Sequence, residues 1–117
     1  MNIIAFLFLA ATPAAPSTSQ IDFDARCMIA TQLASQQLEG TEALATQMAS
    51  MYFFGRVDAV LSEKELEERM AAAGRMIEGK TLGPYLQECG DYMQVRGKVM
   101  ETIGGRLEAK EKARQLQ

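Results

Sequence analysis

Histidine and tryptophan are both absent from this 117-residue chain, and cysteine occurs only twice. Without histidine, a Ser or Cys nucleophile lacks its usual base, and most zinc sites lack a ligand. Gly104-Gly105 is not set between a strand and a helix, as a phosphate-binding loop requires. The acidic cluster Glu63–Glu68 suits the first turn of a helix, where the macrodipole favours carboxylates. We therefore expect no enzyme activity, and no catalytic, cofactor or metal-binding residue.

Basic residues are also too few for a nucleic-acid-binding protein. The chain has 12 Lys and Arg against 15 Asp and Glu, which gives a net charge of −3. Binding to nucleic acid needs clustered Lys and Arg that displace counterions from the phosphates. The expected partner is therefore a protein, if there is one, and the sequence does not indicate an oligomeric state.

The N-terminal segment has the pattern of a secretory signal peptide over residues 1–19. An unbroken apolar run, Ile3–Ala11, leads into a Pro-punctuated stretch of small residues, although Met1-Asn2 carries no basic side chain. Small residues permit cleavage after Ser19, which we favour, or after Ala14. The run is much shorter than the ~20 residues needed to span a bilayer. We expect a periplasmic or secreted mature chain of residues 20–117 with no membrane contact.

The two cysteines are predicted to form a disulfide. Exported chains meet an oxidising environment, and Cys27 and Cys89 are the only cysteines available to pair there. Their bond would close a loop of roughly 60 residues, which is a useful constraint on a small domain.

Apolar spacing along the mature chain is helical, and no alternating run is long enough to predict a strand. We expect an all-α fold, a single small bundle of about four helices held by one disulfide. The first helix is predicted to begin after Asp22 or Asp24 and to end before Gly40, and Thr41 is predicted to cap a second helix that fades near Val60. A third helix follows the capping box at Ser62 and runs to Gly79, and a fourth starts at Pro84.

The same spacing predicts which face of each helix is buried. The predicted stripes are Cys27, Ala30, Ala34 and Leu38 in the first helix, with Ile29 and Leu33 beside them; Leu44, Met48, Met51, Tyr52 and Gly55 in the second; and Leu66, Met70, Ala73 and Ile77 in the third.

In the last helix, Leu86, Cys89, Met93, Gly97, Met100, Gly104 and Leu107 share one face. Gly90, Gly97 and Gly104 are spaced seven apart and form a flat row on it. We favour close packing of this row within the monomer, and the alternative is a groove for a partner. We also favour a continuous helix over a break at Gly104-Gly105, which would leave residues 106–117 as a frayed or extended helical tail.

Three consecutive aromatic residues, Tyr52, Phe53 and Phe54, cannot all lie on one face of a helix. Core packing on two sides is the favoured interpretation, and the alternative places at least one ring at an edge or in a groove. Together with Gly97 and Gly104, these rings form our predicted interaction surface.

Several of these features occur together in a known type of protein. A signal peptide, an acidic mature domain, Cys27, the segment Tyr52–Asp58 and Cys89 resemble small exported two-cysteine helical proteins of proteobacteria. More remotely, the two-cysteine helical plan resembles periplasmic acid-stress chaperones of the HdeA type and related immunity proteins. The resemblance implies a helical domain clasped by one disulfide with a non-enzymatic binding role. We expect a chaperone-like binding protein, or alternatively a dedicated inhibitor or immunity protein for one partner.

Overall fold

Four helices make up almost all of the described structure, a computed structural model covering residues 16–117. The apolar run Ile3–Ala11 and most of the expected signal peptide lie outside the described residues. Within residues 16–117 there is no strand, and the helices are α1 (Thr18–Gln37), α2 (Gly40–Asp58), α3 (Glu63–Ile77) and α4 (Gly83–Gln115). The prediction of an all-α bundle of about four helices is confirmed.

Helix α1 is the central element, because it packs against each of the other three helices. It starts at Thr18, and the Ser17 hydroxyl accepts a hydrogen bond of 3.2 Å from the Gln20 amide. The predicted start after Asp22 or Asp24 is wrong, since this serine caps the free amides more than a turn earlier. The expected cleavage point after Ser19 falls in the first turn of α1.

The starts of α2 and α3 differ in how well the sequence predicts them. Gly40 begins α2 with φ +61°, no side chain caps this end, and the predicted cap at Thr41 is wrong. The Ser62 hydroxyl accepts from the Glu65 amide at 3.2 Å, and the Glu65 carboxylate accepts from the Ser62 amide at 3.2 Å. This reciprocal capping box is the predicted start of α3.

The predicted buried face is right for α3, right in part for α1 and wrong for α2. In α1 the small residues of the predicted stripe are buried, but Leu38 is half-buried and Leu33 is 36% exposed. In α2, Leu44, Met48 and Met51 are 57%, 66% and 66% exposed, while Phe53 and Val57 are fully buried. Apolar residues lie on both sides of this helix, so periodicity alone favours neither. The buried positions are Asp24, Ala25, Cys27, Met28, Ala30, Thr31, Ala34 and Ser35 of α1, Ser50, Phe53 and Val57 of α2, Leu66, Ala73 and Ile77 of α3, and Cys89 of α4.

Helix α4 continues unbroken through Gly104-Gly105, as predicted. Its 33 residues span about 50 Å at 1.5 Å per residue. Its first turns pack on α1, but every residue from Lys98 to Gln117 is exposed. The radius of gyration is 19.9 Å, against about 13 Å for a compact domain of 100 residues. We call residues 96–117, which project from the body formed by the rest of the bundle, the α4 extension.

The predicted disulfide between Cys27 and Cys89 is present, with a Cα–Cα distance of 5.6 Å. Both cysteines are buried in the core, which also contains Met28, Phe53 and Leu66. The bond joins α1 to the second turn of α4, a helix that otherwise rests on α1 over only part of its length.

Three ion pairs reach from one short stretch of α1 to the other three helices. Alternate residues of this stretch supply them. Asp22 and Arg26 are four residues apart and share one face of α1, and Asp24 lies on the opposite face. The pairs are Asp24–Arg56 to α2 at 2.9 Å, Asp22–Arg69 to α3, and Arg26–Glu88 to α4 at 3.4 Å.

We predict that reducing the disulfide lowers the free energy of unfolding by about 4 kcal/mol, because the bond spans 62 residues and restricts the unfolded chain. Thermal unfolding with and without a phosphine reductant measures the change. A Cys27→Ser, Cys89→Ser double variant should already have the lower midpoint and should not respond to the reductant. Equal midpoints for oxidised and reduced protein would contradict this role.

Candidate protein-interaction site

Four aromatic rings meet where α1, α2 and α4 come together. Phe53 is fully buried, and its ring centroid lies 6.2 Å from that of Phe23, 5.3 Å from that of Tyr52 and 6.1 Å from that of Tyr92. Phe23 and Tyr92 are 5.4 Å apart. Such tilted and edge-to-face pairs add stability beyond the apolar area that they bury. The cluster fixes Tyr52, its outermost ring, at the surface.

Arg56 links this aromatic cluster to a buried carboxylate. Its Nε donates to Asp24 Oδ2 at 2.9 Å, and its Nη1 donates to the Tyr52 hydroxyl at 3.3 Å. The guanidinium carbon lies 5.1 Å from the ring centroid of Tyr92 and 5.8 Å from that of Tyr52, within the range of cation–π attraction. One side chain therefore positions residues of all three helices.

Asp24 is 3% exposed, and among the described residues its Oδ1 has no hydrogen-bond partner. Burial raises the pKa of this carboxyl, and the hydrogen bond and charge of Arg56 offset only part of the rise. Burial acts to lower the pKa of Arg56, but the bonds to Asp24 and Tyr52 raise it above its ordinary value. Asp24 therefore takes up a proton more readily in the folded chain than in the unfolded chain.

An apolar groove of about 380 Å³ opens beside Tyr52, between α2 and α4. We call it the Tyr52 groove. Apolar surface dominates its walls, and Arg96 is its charged member. Its lining residues are Tyr52, Met93, Arg96, Gly97, Val99, Met100 and Ile103.

A second groove, of about 320 Å³, lies between the earlier turns of α2 and α4. Its walls are low because several lining residues are small, namely Ala45, Ala49 and Gly90. We call it the Gly90 groove. Met93 lines both grooves, so that apolar surface runs from α2 across Met93 onto the α4 extension. This belt has the shape and chemistry to receive apolar side chains of another polypeptide.

The structure brings together only part of the predicted interaction surface. Tyr52 and Gly97 line the same groove. Phe53 belongs to the core, while Phe54 is half-buried against it on another side of α2. Gly104 lies two turns beyond Gly97 on the same face of α4 and is exposed. The aromatic triplet therefore combines a core residue with one at a groove.

The prediction that the glycine row packs closely within the monomer is wrong. At Gly90, Gly97 and Gly104, an added Cβ would meet no described atom within 4 Å. The reason is geometric. Gly90 lies beside the body but is exposed, one position around α4 from the buried Cys89, whereas Gly97 and Gly104 lie where α4 runs past the end of the body. The alternative interpretation, an open face for a partner, stays a prediction.

Sequence reasoning missed the Asp24–Arg56 pair and the aromatic cluster around it. Asp24 was assigned to helix capping, although it lies three residues before Cys27 on the same stripe. A charged residue at a buried helical position needs a partner of opposite charge, so this spacing was a usable signal. Its partner lies 32 residues further along the chain and is not readable from local spacing.

Comparison of the chain with known protein families, with characterised proteins and with solved structures finds no match. Within residues 16–117, none of the helices combines the length and the apolar character needed to cross a membrane. Over the same residues there is no group of three or more His, Cys, Asp or Glu side chains placed to hold a metal ion.

We predict that Asp24 makes the folded chain relatively more stable as the pH falls. Its folded pKa is raised above the ordinary value of 3.8, so the folded state binds more protons between these two values. This contribution is fully present below pH 3.8 and is lost as the pH rises through the folded pKa. Urea unfolding measures the free energy of unfolding of the wild type and of Asp24→Asn from neutral pH downwards. As the pH falls, the difference between the two free energies should shift in favour of the wild type. If the free energies of unfolding of the two proteins changed equally with pH, the prediction would be wrong.

We also predict that Gly97→Ala raises the free energy of unfolding by up to about 1 kcal/mol, because alanine is the better helix former and the position is open. Urea denaturation at low protein concentration measures the effect. Gly40→Ala is the matched control, since Gly40 has φ +61° and a side chain there should destabilise. A lowered midpoint for Gly97→Ala would restore the packed-seam interpretation.

Proposed function

We propose that this chain is an exported, non-enzymatic binding protein that holds apolar segments of other polypeptides in a chaperone-like manner. The observation that carries the proposal is the uncovered apolar stripe of the α4 extension. Met100, Ile103 and Leu107 are 72%, 48% and 60% exposed on one face of that helix. Large contiguous apolar surface on a soluble chain is typical of a binding site.

The Tyr52 groove and the Gly90 groove extend this stripe onto the body, so the apolar surface is long enough for an extended or helical segment. Helix-in-groove recognition uses apolar anchors at three- and four-residue spacing, and Met100, Ile103 and Leu107 of the stripe recur at that spacing. Tyr52 supplies a rigid aromatic contact whose hydroxyl is held by Arg56. Fixed aromatic anchors lose little conformational freedom on binding.

Four of the twelve large apolar residues that are exposed in the described part of the chain are methionine, and this share favours broad rather than narrow specificity. Met48, Met51 and Met100 are exposed, and Met93 lines both grooves. An unbranched thioether side chain adapts to partners of different shape, as promiscuous binding surfaces require. A chaperone-like role uses this property, whereas recognition of one partner does not need it.

Two features of the chain support its export. The Cys27–Cys89 bond belongs in an oxidising environment, and the apolar N-terminal run supports secretion. If cleavage follows Ala14, Ser17 remains to cap α1, whereas cleavage after Ser19 removes that cap.

Light scattering of an acid-unfolded globular protein at low pH, where it aggregates, tests this function. We expect the disulfide-bonded chain to suppress the aggregation, and Met100→Lys to lose most of that protection. A lysine interrupts the apolar stripe and stays charged at low pH. An acid-unfolded client is preferred to a reduced one, because a reductant would also open the Cys27–Cys89 bond.

Ala109→Lys is the matched control. Ala109 lies nine residues after Met100, on the opposite side of α4, and it is exposed, so it receives the same charge away from the stripe. Equal loss in both variants would contradict the assigned surface. If generic clients aggregate unhindered while one folded protein is captured tightly, the dedicated inhibitor or immunity role replaces the chaperone-like one.

A further inference from the structure

We propose that a second copy of this chain covers the α4 extension, in an antiparallel, two-fold symmetric dimer in which each extension lies along the body of the other copy. The proposal rests on the proposed function in one respect, since the second copy would occupy the same apolar surface that binds clients. Clients would then compete with the second copy for that surface.

Charge separation along the chain is the first support. Residues 1–95 carry twelve acidic and six basic side chains, whereas residues 96–117 carry six basic and three acidic ones. The net charge is therefore −6 on the first part and +3 on the α4 extension. Within one copy the extension points away from the body, so the two charges do not meet. A second copy placed antiparallel to the first brings each basic extension onto an acidic body.

Antiparallel pairing also follows from the charges of α4 itself. Its first part contains Glu88 and Asp91 and no basic residue, while its extension has an excess of basic residues. A parallel pair would place the two basic extensions side by side, and like charges repel. An antiparallel pair places Arg106 of one copy near Glu88 of the other when the two-fold axis passes close to Gly97.

The same register suits the shape of the surface. With the axis at Gly97, Gly90 of one copy lies opposite Gly104 of the other, so both backbones can approach closely. The apolar side chains Met100 and Leu107 then reach the Gly90 groove of the second copy. Each copy presents the same surface patch to the other. A two-fold symmetric interface of this kind gives a closed dimer instead of an open-ended assembly.

The length of the extension matches what a stable interface needs. A typical specific interface buries about 800 Å² on each partner. The helical part of the extension, residues 96–115, is about 30 Å long at 1.5 Å per residue, and its stripe continues into two grooves on the body. No described residue of the same copy covers this surface.

A charge-swap experiment tests the pairing directly. Variant one carries Asp91→Lys, which leaves the Arg26–Glu88 pair within each copy intact, and variant two carries Arg106→Glu with Lys110→Glu; all three side chains are exposed. Sedimentation equilibrium of the purified disulfide-bonded protein should show a wild-type dimer. Each variant alone should associate more weakly by on the order of tenfold or more, because the substituted side chains then face charges of their own sign. An equimolar mixture of the two variants should regain the dimer.

Lys64→Glu with Arg75→Glu is the matched control, since it makes the same change in net charge at exposed positions of α3. It should leave the dimer constant unchanged. A monomeric wild type, dimerisation insensitive to both swaps, or a mixture that stays monomeric would overturn the proposal. So would a control variant that weakens the dimer as much as variant two.

Client protection separates this inference from the proposed function. The swaps leave the apolar stripe intact. Variant two should therefore lose the dimer at neutral pH and keep its suppression of aggregation at low pH, where protonation of carboxylates weakens the wild-type dimer as well. A monomeric wild type that still protects clients overturns the dimer and leaves the function standing. A dimer whose variants never protect a client overturns the function and leaves the dimer standing.

Discussion

The attachment of α4 to α1 is the constraint on which the rest of the molecule depends. Helix α4 touches the body through its first turns only, and Cys27–Cys89 is the covalent link at that contact, with a Cα–Cα distance of 5.6 Å. Both cysteines lie in the core beside Phe53, so the bond also fixes where the aromatic cluster forms. The Tyr52 groove has one wall on α2 and the other on α4, and its width follows from this attachment. The proposed binding surface is thus coupled to oxidation, and the proposed export of the chain meets that condition.

A buried polar contact completes the junction and gives it one geometry. Arg56 reaches Asp24 on α1 and Tyr52 on its own helix, and it lies against Tyr92 on α4. Buried ion pairs contribute little net stability, because desolvation offsets most of the attraction between the charges. Their use here is positional, since apolar side chains alone would tolerate small shifts of α2 against α4. No residue of the described range 16–117 bonds to Asp24 Oδ1, so the arrangement is not optimised for stability there, and protonation at low pH relieves the charge that burial makes unfavourable.

Local signals in the sequence predict where the helices lie, and long-range contacts determine which face of each helix is buried. Ser62 and Glu65 define the start of α3 because both hydrogen bonds of a capping box lie within four residues. The disulfide follows from there being only two cysteines. In contrast, α2 carries apolar residues on two faces, and only the position of α1 determines that Phe53 faces inward while Met48 faces solvent. The glycine row shows the same limit, since its regular spacing is visible but the end of the body beside α4 is not. Of the candidate surface, Tyr52 and Gly97 were predictable as special positions, whereas their meeting in one groove required the fold.

The α4 extension is the part of the molecule in which stability and binding oppose each other. Gly97, Gly104 and Gly105 each cost a helix interior roughly 1 kcal/mol relative to alanine, and neighbouring β-branched residues add to that cost. The exposed ion pairs Glu108–Lys112 and Glu111–Arg114 offset only a small part of this cost, because solvent screens them. Since helices without tertiary contacts are marginal in water, the extension is the segment that gains most from a partner. A partner that packs on it stabilises helix and interface together, but part of the contact energy is used to order the helix. Binding of this kind is weaker for its area and readily reversed, as the proposed sharing of this surface between a second copy and changing clients requires.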